Sequence, residues 1–218
     1  DFLLGPVQAY AGEVRLLNAW LGALWNEIKG EAESTKTLFI VTSPRGYPLG
    51  EHLIVGDAQT ELYGELLHVP MLVWTSDGKF AALRDPSLVQ PADVAATLAD
   101  WFSVPIAATA SHSLLRLAAE NGQDWPNDRA VSIAQTQRSI RTPAWFLRQA
   151  NESGGADSPH SELFRKPDDR WEINPVAQLC PEIVDQLAEA IDEFEQALKD
   201  GTVASLPPLA DELIEGIE

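Results

Sequence analysis

One stretch decides the fold: Thr37-Leu38-Phe39-Ile40-Val41-Thr42-Ser43-Pro44-Arg45-Gly46, followed closely by Leu49-Gly50-Glu51-His52. Residues 37–41 are a short, continuous apolar run, which is typical of a buried strand in an α/β sheet. Ligands of such sheets gather at the carboxyl ends of the strands. We therefore predict a buried strand over residues 37–41 and a site in the loop that follows it.

Helical and strand patterns surround this stretch. Apolar residues recur at alternating spacings of four and three from Tyr10 to Ile28, and Gly30 is placed to end the pattern. This spacing predicts a helix whose apolar stripe packs on a sheet. The apolar run 71–74 predicts a second core strand, and residues 91–101, which begin with proline, predict another helix. Together these elements predict a layered α/β core.

The carboxyl-terminal part of the chain differs in character. Residues 130–134 and 140–146 predict a small antiparallel sheet. An apolar stripe between Pro181 and Gly201 predicts a helix that docks back on the fold. The members of the stripe are Ile183, Leu187, Ile191, Phe194 and Leu198. The acidic opposite face of this helix is either a solvated surface or a recognition face, and an acidic tail, 211–218, follows it.

Composition favours a folded, soluble protein. The 218 residues are 45% hydrophobic, which is enough to bury a sizeable core in one large domain or one domain with an appendage. The formal net charge of −18 repels phosphate backbones and anionic lipids, so a nucleic-acid partner is not expected. No apolar run approaches the roughly 20 residues of a membrane-spanning helix.

The start of the chain leaves its location open. Met71 is the only methionine, so a beginning at Asp1 indicates a processed, truncated or cropped sequence. No signal segment opens the chain. Earlier removal of a signal peptide would imply export or a periplasmic location.

Several motifs, taken in order, resemble those of the sulfatase family. The loop at 42–52 resembles the family's Thr-Ser-Asp-His(or Asn)-Gly and Leu-Gly-Glu-His. Further matching segments, in chain order, are 10–22, 62–65, 68–73, 89–102, 138–145, 162–164 and 168–174. The resemblance implies a sulfatase/alkaline-phosphatase-like layered sheet with helices, plus a small carboxyl-terminal antiparallel sheet packed by a helix. It divides the chain into a portion of the α/β core, 1–122, and an α+β subdomain with an acidic helix and tail, 123–218.

The family's reactive residue does not fall in this chain. Sulfatases use a formylglycine made from Cys or Ser in Cys/Ser-x-Pro-x-Arg, and that motif belongs to their amino-terminal half. The only cysteine here, Cys180, is followed at once by proline and lacks the arginine, so it is expected to be a small buried hydrophobe at a helix start. By this resemblance the chain is the carboxyl-terminal half of a longer fold. Its expected partner is the missing amino-terminal half or a completing polypeptide.

The family's metal and sulfate positions are altered. Pro44 and Arg45 stand where the family has its calcium ligands, and Gln59 or Thr60 where it has a lysine that holds the sulfate. Proline has no side-chain ligand and arginine is positive, so calcium is not expected in this chain, only in an intact, active family member. Arg45 either replaces the charge of the metal and binds a tetrahedral anion, or is a surface residue of a degenerate loop.

The histidines give weak signals. His52 matches the histidine of the family's Leu-Gly-Glu-His, where it is either a site residue or a hydrogen-bonded structural residue. His68 stands where the family usually has arginine before Val-Pro. His112 and His160 lie in polar segments with no acidic or sulfur partner at ligand spacing, and no metal site is predicted from any of the four histidines. The site candidates are therefore Arg45 and His52.

Two functions remain open at this point. In the first, the chain belongs to a hydrolase that cleaves sulfate esters, or phosphate esters as a second choice. In the second, the changes at Pro44, Arg45 and Gln59 indicate a degenerate, noncatalytic binding or structural module. A fold is more safely transferred from a resemblance than a chemistry is, because function lies in the site.

Overall fold

The computed structural model of the protein describes residues 3–31, 36–56, 61–78, 83–106, 110–120, 125–150 and 160–216. The chain folds into two compact units. The first comprises 1–58 and 65–83, and the second comprises 59–64 and 84–218. The predicted boundary between residues 122 and 123 falls outside the described residues and stays a prediction.

Helix α1 and a two-stranded sheet form the first unit. Helix α1 spans Leu4–Glu31, and strands β1, Leu38–Thr42, and β2, Met71–Thr75, pair antiparallel with Ile40 opposite Val73. The short helix α2, Gly64–Leu67, leads into β2. The predicted helix and both strands are thus confirmed, although the helix runs one residue past Gly30.

Aromatic rings join the helix to the sheet. The ring centroid of Trp25 lies 4.8 Å from that of Trp74 on β2, edge-on, and 5.8 Å from that of Phe39 on β1. The helix therefore packs on the sheet, as the spacing predicts. The prediction that residues 37–41 form a buried strand is wrong, because the described strand residues 38–41 are only half-buried. Two strands and one helix do not enclose enough volume to bury them.

Helix α1 leaves most of its apolar surface uncovered. None of its residues is buried. Its large apolar side chains are exposed on more than one side, and Trp20 is 71% exposed; the others include Leu4, Val7, Tyr10, Val14, Leu16, Leu17 and Leu24. A helix with apolar side chains over much of its circumference normally lies inside a protein.

The second unit contains α3, Pro91–Trp101, and α4, Leu115–Glu120, before its sheet. Proline begins α3, which confirms the predicted start. The Asp93 carboxylate is buried and accepts hydrogen bonds from the backbone of Gln90 and His112 and from the Asn127 side chain. This one carboxylate therefore holds the start of α3 and two later segments together.

Four antiparallel strands follow in the order β3-β4-β5-β6. Their bounds are Ala130–Ile133, Gln137–Arg141, Trp145–Ala150 and Ser161–Arg165. The predicted antiparallel sheet is confirmed, but a single segment over 140–146 is wrong. Those residues contain the end of β4, a turn and the start of β5, since the Thr142 N–H bonds back to the Trp145 carbonyl.

The two faces of this sheet differ in chemistry. Ile140, Leu147 and Leu163 lie on one face and pack against α5, Pro181–Asp200, through the side chains of Leu187 and Ile191. Gly201 ends this helix in the left-handed conformation, at φ 69°. Both predicted helix ends are confirmed. The opposite face carries charged and aromatic side chains.

The predicted acidic tail contains a docked helix. Helix α6, Asp211–Glu215, follows the 3-10 turn Val203–Ser205 and buries Leu213 in the core. The Thr142 hydroxyl donates to the Leu213 carbonyl and accepts from the Trp145 N–H, and the Trp145 indole donates to the Glu212 carbonyl.

We expect Thr142→Val to release α6. The change keeps the shape of the side chain but leaves a buried carbonyl and a buried N–H without their partner, which should cost about 1–3 kcal/mol in the free energy of unfolding. Hydrogen exchange of the Leu213 amide measures the release. The exposed Thr202→Val is the control, and equal exchange in both variants would contradict the prediction.

Candidate functional site

The strand-end loop, residues 43–56, begins where β1 ends. The Ser43 hydroxyl donates to the Arg45 carbonyl at 2.6 Å, which closes a tight turn. Pro44 and Arg45 are exposed on this turn. Further along, the Leu49 N–H donates to the Glu51 carboxylate at 2.7 Å. The loop therefore presents the two altered family positions at the carboxyl end of a strand.

Gly46 seats this loop on the segment that contains α2. Its N–H donates to the Leu66 carbonyl at 2.7 Å. A Cβ atom at residue 46 would lie 1.8 Å from the Glu65 carbonyl oxygen and 2.8 Å from its carbon. No side chain fits that approach, so the glycine of the motif is a packing requirement.

His52 and Glu65 form a half-buried pair beside the same contact. His52 Nδ1 lies 2.7 Å from Glu65 Oε1, and the two side chains are 16% and 13% exposed. A carboxylate only accepts hydrogen bonds, so Nδ1 is the donor and the ring tautomer is fixed. Of the two candidates, the structure brings His52 to a carboxylate and leaves Arg45 on the surface.

The side chains at positions 44 and 45 do not suit a calcium ion. Calcium takes six to eight oxygen ligands, whereas Pro44 offers no side-chain oxygen and Arg45 brings a positive charge. In the described parts of the chain, no group of three or more His, Cys, Asp or Glu side chains could hold a metal ion. The family's lysine position, at Gln59 or Thr60, lies outside the described residues.

The other predicted residues lie apart from this loop. His68 and His160 are exposed, and the His112 ring meets the Trp125 ring at 5.8 Å, edge-on. Cys180 is half-buried against the core as the N-cap residue of α5, close to its predicted role.

A second polar cluster lies on the far face of the four-stranded sheet. We call it the ionic face. Arg148 is its centre and is 9% exposed. Its guanidinium donates to the carboxylates of Glu61 and Glu162, to the Gln137 amide oxygen at 3.0 Å and to the Tyr63 hydroxyl at 3.1 Å. It also lies 4.1 Å from the centroid of the Tyr63 ring.

Two more cations share the ionic face. Lys166 pairs with Glu172 at 2.9 Å, and these side chains are 6% and 5% exposed. Arg141 donates to the Trp145 carbonyl at 3.1 Å, and its burial lowers its pKa to about 10, while Glu172 acts in the opposite direction. Burial, and then the hydrogen bond to Glu162, raise the pKa of the Tyr63 phenol.

Sequence reasoning missed the ionic face. The available signal was a strand pattern in which charged residues alternate with apolar ones, since Arg148 follows Leu147 and Glu162 precedes Leu163. Such charges are normally assigned to solvent. Only the contacts of Arg148 with Glu61 and Tyr63, 87 and 85 positions away in sequence, show that this face is covered.

Comparisons with known proteins bear on the family and the fold. A family model described as Sulfatase matches residues 5–104. No curated protein sequence gives a significant match to the chain. Among solved structures, one protein in complex with its substrate D-glucosamine-2-N,6-O-disulfate matches with a TM-score of 0.62 and 20% identity, over 85% of this chain and 39% of that chain.

Two further structures match at a similar level. A 2-O GAG sulfatase has a TM-score of 0.56 and 20% identity, over 81% of this chain and 39% of that chain. A protein described with the metabolism of multiple glycosaminoglycans by Bacteroides thetaiotaomicron has a TM-score of 0.58 and 19% identity, over 83% of this chain and 43% of that chain.

This chain thus spans about two fifths of the length of the solved structures that it matches. At these identities the likeness shows the fold. None of the helices in the described ranges has the length and hydropathy that crossing a membrane requires. The chain is therefore sulfatase-like: it matches the sulfatase family over residues 5–104 and shares the alkaline-phosphatase-like α/β fold over most of its length.

Proposed function

We propose that this chain is the carboxyl-terminal part of a sulfatase-like hydrolase whose complete form hydrolyses sulfate esters. The strand-end loop carries the proposal. It lies at the carboxyl end of β1, keeps the glycine that the Glu65 carbonyl requires, and pairs His52 with Glu65. The match to the sulfatase family over residues 5–104 includes this loop.

The uncovered surface of the first unit supports the need for completion. Helix α1 buries none of its residues, and a two-stranded sheet is marginal without further strands. Leu72 on β2 is 62% exposed. The missing amino-terminal half, or a completing polypeptide, would cover this surface, since exposed apolar patches and open strand edges cause aggregation.

The residues of this chain would form one wall of the sulfate-ester site. Arg45 is the candidate for contact with the anion, because a guanidinium binds a tetrahedral anion through two parallel hydrogen bonds. His52, held by Glu65, would keep one ring nitrogen in a fixed direction. No step is assigned to calcium, because the side chains at positions 44 and 45 do not fit it.

The alternative is a noncatalytic, sulfatase-like binding or structural module. Pro44 and Arg45, at the family's calcium positions, are the observation that favours it. Because the fold survives without the metal ligands, the same scaffold could bind a partner without hydrolysis.

The intact mass and amino-terminal sequence of the native protein distinguish the hydrolase from the noncatalytic module. We expect a longer chain that contains Cys/Ser-x-Pro-x-Arg, with the first residue converted to formylglycine and with measurable sulfate-ester hydrolysis. Arg45→Ala should then weaken competition by free sulfate, because it removes the guanidinium that would bind the anion.

A native chain that begins near Asp1, or an extension without the motif, would refute the hydrolase. The noncatalytic module would then be the remaining function. A chain that is monomeric by itself and unfolds in one cooperative transition would contradict the need for a completing polypeptide.

A further inference from the structure

The strand-end loop contacts the amino-terminal part of helix α1 as well as residues 65 and 66. The ring of Tyr47 stacks on the ring of Tyr10, with 5.7 Å between the centroids and 21° between the ring planes. The side chain of Leu3, just before α1, lies so close to Gly50 that a Cβ atom there would be 2.8 Å from both leucine methyl carbons. These residues all belong to the first unit. Helix α1 is therefore a second support of the loop.

The later part of the loop, residues 48–56, closes into a small hairpin. Leu49 and Val55 form an antiparallel bridge, and the Gly56 N–H donates to the Pro48 carbonyl at 3.1 Å. We call these residues the loop hairpin. Its two ends are bonded to each other, so a contact that holds one end also places the rest.

Tyr47 connects the loop hairpin with the turn that carries Arg45. It directly follows Gly46, whose N–H is bonded to the Leu66 carbonyl. Its hydroxyl oxygen lies 3.5 Å from the position that a Cβ atom at Gly56 would take. The tyrosine side chain therefore contacts α1 with its ring and reaches the closed end of the hairpin with its hydroxyl.

We propose that Tyr47 is a positioning residue of the strand-end loop: its stack on Tyr10 fixes the turn that carries Arg45 and the hairpin that carries His52. A stacked aromatic pair contributes beyond the area that it buries. Both rings are partly exposed, Tyr47 to 47% and Tyr10 to 42%. Loss of the stack should therefore loosen the loop locally and leave the rest of the chain folded.

This inference rests on the proposed function only in treating the loop as part of a site. The position of the loop is measured without activity, so the two can fail separately. A complete protein that hydrolyses no ester would leave the inference standing. A loop that keeps its position without the stack would overturn the inference and leave the proposed hydrolase untouched.

Tyr47→Leu in the full native chain, with any completing polypeptide bound, is the test variant. We expect the Gly46 amide to exchange about two- to tenfold faster relative to the protected amides of β1 and β2, which is the effect of losing one aromatic pair. The ring signals of His52 in NMR spectra should move. Tyr47→Phe keeps the stacked ring, so the Gly46 exchange and the His52 signals should stay near those of the parent.

Tyr10→Leu tests the same pair from the helix. It removes the stack and leaves the sequence of the loop intact, so the Gly46 exchange should rise by a similar factor. The double variant should exchange no faster than either single variant, because residues in contact do not act independently. Additive effects of the two changes would overturn the proposal. Should Tyr47→Leu not fold, Tyr10→Leu alone supplies the same readout.

Trp20→Leu is the matched control on the same helix. Trp20 lies ten positions beyond Tyr10 in α1, about 15 Å further along the helix axis, and is 71% exposed. Loss of this ring should leave the Gly46 exchange and the His52 signals unchanged. Equal effects of Trp20→Leu and Tyr10→Leu, or unchanged Gly46 exchange in Tyr47→Leu, would overturn the proposal.

Discussion

Gly46→Ala should prevent the strand-end loop from packing against residues 65 and 66. The new methyl group would lie 1.8 Å from the Glu65 carbonyl oxygen. A Cβ atom and a carbonyl oxygen are both attached directly to the backbone, so neither can move aside by rotation of a side chain. Backbone must therefore move, and the hydrogen bond from the Gly46 N–H to the Leu66 carbonyl is lost with it. We expect a cost of about 3 kcal/mol in the free energy of unfolding of the first unit, the upper end for over-packing.

Urea unfolding followed by hydrogen exchange at the amides of β1 and β2 measures this loss. Gly22→Ala in α1 is the control, because a Cβ atom there meets nothing within 4 Å. Alanine is the better helix former, so the control should gain about 0.5–1 kcal/mol. A Gly46→Ala protein as stable as the parent would show that the loop does not sit against residues 65 and 66.

Glu172→Gln should strongly destabilise the second unit. The change keeps the size of the side chain and an acceptor for the Gly64 N–H, but it removes the charge that faces Lys166. The ammonium keeps its bonds to the carbonyls of Asp169 and Arg170 and remains buried without a counter-charge. Removal of one partner of a buried ion pair costs about 3–5 kcal/mol.

Chemical denaturation of the single and double variants measures this effect. Lys166→Met combined with Glu172→Gln should recover much of the loss, because the buried ammonium is removed together with its counter-charge. Asp168→Asn is the control in the same turn: its pair with Arg165 is long, at 3.8 Å, and exposed. That change should stay within about 0.5 kcal/mol. If Glu172→Gln alone lowers the free energy of unfolding no more than Asp168→Asn does, the prediction is refuted.

Helices with clear ends were predictable from sequence. Proline begins both α3 and α5, and Gly201 ends α5. The apolar spacing and the residues that start or stop a helix therefore indicate the same bounds. Strand β5 was only partly predictable, because its buried residues include Arg148 and Gln149. Polar residues in a largely buried strand break the expected alternation. The burial of Arg148 becomes reasonable only when Glu61 and Glu162 are brought beside it, and that of Gln149 when Arg138 and Ser161 bond it.

The loop of the site was predictable, but its neighbours were not. The apolar run before Thr42 indicated a strand and hence a site at its end. That strand is half-buried, because burial depends on what covers it and a local pattern does not contain that information. The pairing of His52 with Glu65 and the approach of Gly46 to the backbone depend on where the chain returns after residue 56. His52 and Glu65 are 13 positions apart, and the sequence between them does not determine the path of the chain.

The position of residues 61–64 also sets an order of events during synthesis. They belong to the second unit, yet Gln137 and Glu172, which hold them, leave the ribosome 75 and 108 residues later. At the usual ~5–20 residues per second, the nascent segment waits roughly 4–20 s for its partners. Contacts of such long range form slowly. A pause in translation after residue 64 would extend the time in which this segment is open to chaperones and proteases.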